Sequence, residues 1–307
     1  MAINRRISFD RILCPIDFTQ GSDESLRYAI ALAKAYRAKL FVMNSMEGYA
    51  VSSSADRQRT QERLDAAVRK YLRPPMSADF SWESLVVDGE PDASITHEAA
   101  KREIDLIAMR SRRRPYAAAL LGSTAESVCR TAPCPVMITH RREQEWAGVT
   151  TNEIGLQKVL VAYDFSSDSE LAFAYGLSLA QEYQAEVHFL HVLPVGSIRP
   201  TGAEIAFLPL EADNGFGEAA RRLHNSVPAD TRLWCNVKES VRAGHPYREI
   251  LSYAIEQNID LICMGASGTG HGKHALFGSN SDRVLRQAPC PVLITRPLRQ
   301  AIATLTA

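Results

Sequence analysis

The chain predicts an α/β protein built from two tandem doubly wound parallel sheets. Three observations carry that reading. At 307 residues it is longer than the ~250–300 at which a single core stops growing. Its second half repeats its first: GSTAESVCRTAPCPVMIT (122–139) aligns without a gap on GSNSDRVLRQAPCPVLIT (278–295), with 11 of 18 positions identical. Within each half, short apolar runs alternate with longer amphipathic ones, the pattern of strand–helix units.

The elements follow in order. RILCPIDFT (11–19) and KVLVAYDFS (158–166) each open with an apolar run of strand length and close on an aspartate, Asp17 or Asp164. SDSELAFAYGLSLAQEY then reads as a helix capped by Ser166 or Ser167, and EVHFLHVL as the next strand. A variable helical stretch follows, 56–72 in one half and 216–226 in the other. SLVV and WCNVKES read as third strands. PDASITHEAAKR and PYREILSYAIEQ read as helices with proline at the start. DLIAM and DLICM read as fourth strands, and a loop, a helix and the strands PVMIT and PVLIT close each half. The near-continuous Val/Ile/Leu of the strands argues for sheets covered on both faces, a Rossmann-like or flavodoxin-like arrangement.

The repeat pairs Asp17 with Asp164, Gly89 with Gly244 and Gly122 with Gly278, so the offset grows from 147 to 155 to 156 along the chain. HRREQEWAGVTTNEIG (140–155), polar and charged, is the join, and the domains are expected at 1–145 and 146–307. Thirty-five Lys+Arg balance 35 Asp+Glu, which leaves no global field to hold nucleic acid or an anionic membrane. The opening residues lack a signal-peptide h-region and no window approaches 18 apolar residues, so a cytoplasmic protein is expected. The six cysteines form no C-x-x-C pair and read as buried thiols.

In a doubly wound sheet, ligands sit beyond the carboxyl ends of the strands where strand order reverses. Half two places Asp164 and GASGTGHGKHALFGSNS there, the latter reading G-x2-G-x9-G-S through Gly265, Gly268, Gly278 and Ser279, then Asn280 and Ser281. Glycines would admit positive φ and close approach to a ligand, and the helix opened by Gly278-Ser279 offers free N–H groups to phosphate. The loop is neither a Walker A sequence nor G-x-G-x-x-G.

With these residues in view, the chain strongly resembles the universal stress protein family, in its tandem form, over roughly 8–140 and 155–297. The resemblance implies ATP, with or without Mg2+, held by Ala162, Tyr163, Asp164, Val192, Met264, Gly265, Gly268, Gly278, Ser279, Asn280 and Ser281. It also implies that the last strands pair one domain against the other. No catalytic residue and no resident metal are assigned. Half one departs from the motif: RSRRRPYAAALLGS sets Arg110, and roughly Arg113, where the early glycines stand. One competent nucleotide site per chain is therefore expected, in half two. Arg110, Arg112, Arg113 and Arg114 form either a solvated loop, a second anion site or part of an interface.

His271, Lys273 and His274 in the loop lack a ligand set for a metal and read as exposed or phosphate-facing. His188 and His191 are taken to share one face of their strand as buried, hydrogen-bonded histidines. Residues 207–217, unique to half two, could cap the ligand or touch a partner. The leading expectation is a regulatory nucleotide-binding protein of the stress response, with a homodimer as an open arrangement. The alternatives are a slow ATPase, or a scaffold that takes an acyl or sugar-phosphate ligand through its arginine-rich half.

Overall fold

The computed structural model describes residues 7–19, 22–46, 53–72, 80–111, 122–139, 155–194, 215–268 and 278–296. Half one runs β1 (Arg11–Pro15), α1 (Ser22–Tyr36), β2 (Lys39–Met46), α2 (Ser54–Tyr71), β3 (Trp82–Asp88), α3 (Pro91–Lys101), β4 (Leu106–Arg110), α4 (Ser123–Thr131) and β5 (Val136–Thr139). Half two runs β6 (Lys158–Ala162), α5 (Ser167–Tyr183), β7 (Glu186–Pro194), α6 (Phe216–Ser226), α7 (Thr231–Trp234), β8 (Val237–Gly244), α8 (Pro246–Glu256), β9 (Leu261–Gly265), α9 (Ser279–Gln287) and β10 (Val292–Thr295).

All ten strands lie in one sheet, in the order β3-β2-β1-β4-β5-β10-β9-β6-β7-β8. Within each half the neighbours are parallel, and the order reverses between β1 and β4 and again between β6 and β9. Those are the two switch points where a ligand crevice opens. At the centre β5 and β10 run antiparallel, with Met137 opposite Leu293, and join the two parallel sheets into one.

The strand sequences explain the layering. Along β1, Ile12 and Cys14 face one way and Leu13 the other, and all three are fully buried, because helices cover both faces. α1, α2, α5 and α6 pack on the first face around Leu26, Leu64, Phe173 and Leu223. α3, α4, α8 and α9 pack on the second around Ile95, Val128, Ile250 and Val284. Both core layers run through both halves. On the first face, Phe9 packs edge-on against Tyr36 of its own half (4.9 Å) and stacks across the join on Tyr175 (6.0 Å).

One element departs from the sequence reading. Trp234 and Cys235 do not begin the third strand of half two. Thr231–Trp234 forms a single helical turn, and the strand starts at Val237. The apolar run suggested a strand, but Asp230 and Thr231 start a turn whose closing bond, Cys235 N to Thr231 O at 2.9 Å, is local. Ser166 is the cap of α5, with a reciprocal capping box to Ser169. All six cysteines are free thiols, and burial pushes Cys14, Cys129 and Cys134 up to about 12, so they stay protonated. Among the described residues, no helix is long and apolar enough to cross a membrane.

Candidate functional site

At the half-two switch point, β6 ends on Ala162 and the chain turns at once. Tyr163 still donates its N–H to Leu190 O (2.8 Å), but Asp164 leaves the sheet and its carboxylate accepts from Ser166 N (3.1 Å) and Ser166 Oγ (2.5 Å). Between them Phe165 takes φ 64°, a left-handed conformation that a bulky residue rarely adopts. Aromatic contacts hold it there: Tyr163 at 5.0 Å, His191 at 4.7 Å and the Arg222 guanidinium at 4.1 Å. A short Asx turn and a capped helix thereby fix the aspartate at the mouth of the sheet.

From the other side of the switch point comes the strand end Met264-Gly265. Here the reason for glycine differs from the one the sequence suggests. None of Gly265, Gly268 and Gly278 has positive φ. Instead, a Cβ on Gly265 would stand 2.6 Å from Asp168 Cβ, and one on Gly268 would stand 2.3 Å from Asp164 Oδ2. Both distances are below any tolerable contact, so the two glycines let this loop lie directly on the two aspartates. Asp168 then accepts from Ser267 N (3.0 Å) and Ser267 Oγ (2.8 Å), tying the loop to the first turn of α5. The loop returns at Gly278, whose N–H reaches Ala266 O at 2.8 Å. Buried Ser281 donates its Oγ to Gly265 O at 2.8 Å. Gly278 is the N-cap of α9 and offers no side chain, which leaves the N–H groups of the first turn, around Ser279 and Asn280, aimed outward.

These segments enclose a cavity of about 220 Å³. Its walls include all eleven residues that the family resemblance implies: Ala162, Tyr163, Asp164, Val192, Met264, Gly265, Gly268, Gly278, Ser279, Asn280 and Ser281. Leu190, His191, Pro194, Pro246, Ile250, Ser169 and Ser267 complete it. One end is apolar, between Val192, Ile250 and Met264, and the other presents hydroxyls and the open end of α9. A flat apolar ring with a polyanionic tail has complementary chemistry.

His191 was missed. His188 and His191 are three residues apart, an odd spacing, so they face opposite sides of β7. His188 is fully buried against Tyr253 OH (3.0 Å), and burial lowers it to about 4. His191 faces the other layer and lines the cavity. Its Nδ1 lies 2.7 Å from Tyr163 O; a carbonyl only accepts, so Nδ1 carries the proton. Counting the strand spacing would have found it. Burial lowers its proton affinity, against the pull of that carbonyl and of Asp164.

Half one keeps part of this construction. Asp17 accepts from Thr19 N (3.0 Å) and Thr19 Oγ1 (2.5 Å), Phe18 takes φ 58° beneath Arg63 (3.8 Å), and Asn44 donates to Ile16 O (2.8 Å) where half two uses His191. Arg110, however, occupies the place of Gly265: it pairs with Thr139 as Gly265 pairs with Thr295. Arg112, Arg113 and Arg114, like His271, Lys273, His274 and residues 207–214, lie outside the described residues. Among the described residues, no group of three or more His, Cys, Asp or Glu is placed to hold a metal ion.

Comparison with known proteins agrees with this architecture. Universal stress protein Slr1230 of Synechocystis is 28% identical over 65% of the chain, which spans 60% of that relative's length. A universal stress protein of Mycolicibacterium smegmatis is 25% identical over 93% of this chain and 97% of its own. The crystal structure of a universal stress protein from Archaeoglobus fulgidus superposes with a TM-score of 0.68 at 22% identity, covering 94% of this chain and 99% of that one, and so shares the fold. The family model of the universal stress proteins matches twice, over residues 8–140 and 155–296, and the chain belongs to that family.

Proposed function

We propose that half two binds ATP in the cavity between β6 and β9, and that the protein acts as a regulatory nucleotide-binding protein of the stress response, with units at 1–145 and 146–307. One observation carries this: eleven residues from three separate stretches of sequence, assigned to the nucleotide by family resemblance, line one cavity. In this reading the base lies against Val192 and Met264, Asp164 and the glycine loop flank the sugar, and the first turn of α9 receives the phosphates with Ser279 and Ser281. The residues fit that ligand chemically, since an apolar slot adjoins a helix terminus with unclaimed N–H groups. Asp164 and Asp168 are already engaged with Ser166 and Ser267, so they support positioning of a ligand rather than proton transfer.

The test is the nucleotide content of the purified protein, released by denaturation and identified by chromatography with mass detection, followed by titration of the emptied protein with ATP. About one adenine nucleotide per chain is the expected result. Failure to retain or bind any nucleotide would remove the proposal.

A further inference from the structure

β3 is one end of the ten-stranded sheet, so half of its backbone polar groups face away from β2. Leu40 N donates to Ser81 O (3.0 Å) and Gly89 N to Met46 O (3.2 Å), which sets the odd-numbered residues of β3 on the ladder with β2. Ser84 and Val86 therefore turn both N–H and C=O outward. An edge of this kind is a template for a further strand. Two side chains of α2, one helical turn apart, lie on it: Gln61 Nε2 donates to Ser84 O and Arg57 Nη1 to Val86 O, each at 3.2 Å.

Along that edge runs a groove of about 470 Å³, walled by α2 on one face of the sheet and by α3 on the other, with Ser84 and Val86 on its floor. Its charged side chains are Arg57, Lys101, Arg102 and Glu98. Glu98 is buried and already accepts from Arg102 Nε (2.8 Å) and Lys101 Nζ (3.4 Å), and Arg102 also holds Glu83 (3.0 Å). Arg57 on the α2 side, which also pairs with Asp88 beyond the groove, and Lys101 on the α3 side, with 60% of its side chain exposed, make both walls positive. An extended strand entering there meets backbone partners on the floor and sends alternate side chains to two cationic walls. A second copy of this edge would instead bring the same cations against them.

We propose that the β3 edge binds an extended acidic segment of a partner protein by strand addition. The segment's carbonyls accept from Ser84 N and Val86 N, its N–H groups take Ser84 O and Val86 O from Gln61 and Arg57, and its carboxylates meet Lys101 and the released Arg57. Until then Gln61 and Arg57 cover the edge and oppose pairing between copies. The edge belongs to half one and stands apart from the cavity between β6 and β9, so peptide binding here is independent of nucleotide.

The test follows the fluorescence anisotropy of a labelled, end-capped hexapeptide of two Val-Glu-Glu repeats, titrated with the full chain at low ionic strength, beside its Val-Lys-Lys counterpart. The acidic peptide should bind and the basic one should not. Gln61→Ala, which bares Ser84 O without altering charge, should tighten binding about threefold. Val86→Pro removes an outward N–H and no bond to β2, and should weaken binding by about tenfold or more. Lys101→Glu, at an exposed position, should weaken it about fivefold. Should Val86→Pro fail to fold, the other two variants, opposite in sign, still decide. Equal binding of both peptides, no binding of the acidic one, or equal affinities in all the chains would overturn the proposal. A dimer in sedimentation that binds no peptide and that Val86→Pro disperses would give the edge to a second copy and overturn it as well.

Discussion

Two glycines and two aspartates set the geometry of the half-two cavity, and they do so by packing on each other. Gly268 lies so close to Asp164 Oδ2 that any side chain must displace the carboxylate. Gly268→Arg should therefore reduce ATP affinity at least tenfold, about 1.4 kcal/mol or more, while leaving the far-ultraviolet circular dichroism unchanged; calorimetric titration checks both sides of this. His188 makes a separate prediction. Its proton affinity in the folded protein is lowered from 6.5 to about 4 by burial, so the unfolded chain binds a proton that the folded chain refuses between those pH values. Stability contributed by the neutral ring is complete above pH 6.5 and is lost as pH falls towards 4, by as much as ~3 kcal/mol. Urea midpoints at pH 7, 5.5 and 4.5 should fall less steeply for His188→Gln than for the unmodified chain.

At the scale of elements, each half builds its site from the same parts: a strand that ends on an Asx turn, an aromatic residue at positive φ, and an arginine from the variable helix lying over that ring. Phe18 under Arg63 and Phe165 under Arg222 show that the two variable helices, different in sequence, perform one packing task. The start of α5 is the sensitive point, because Ser166 caps the helix and also donates to Asp164. Ser166→Ala removes both bonds. It should cost about 1 kcal/mol of stability and weaken ATP binding several-fold, a joint effect that thermal melts with and without nucleotide will separate. Helix α9 behaves differently. Its cap is a glycine with no side chain to offer, which keeps the first-turn N–H groups available.

At the scale of the whole molecule, the antiparallel contact of β5 with β10 converts two open sheets into one of ten strands and covers an apolar edge of each half. Leu293 is 2% exposed and stands opposite Met137. Leu293→Lys buries a charge in that seam and should destabilise the chain on the order of 4 kcal/mol. Because both core layers run through both halves, the loss should appear in a single transition when urea unfolding is followed by fluorescence and by circular dichroism.

The sequence by itself determined the duplication, the order of strands and helices, and the difference between an intact and a broken glycine loop. Those features are written in local periodicity and in repeated residues such as APCPV, which need no partner to be recognised. The eleven residues from 162 to 281 that line one cavity came from the family resemblance that those motifs carry, not from local pattern alone. Only the tertiary structure decided why the glycines are there, since the atoms they make room for, on Asp164 and Asp168, lie about a hundred residues away in the chain. Only it set His191 against the cavity and turned Trp234 out of its expected strand. Each of these depends on which distant group a side chain meets, a contact that no local pattern encodes.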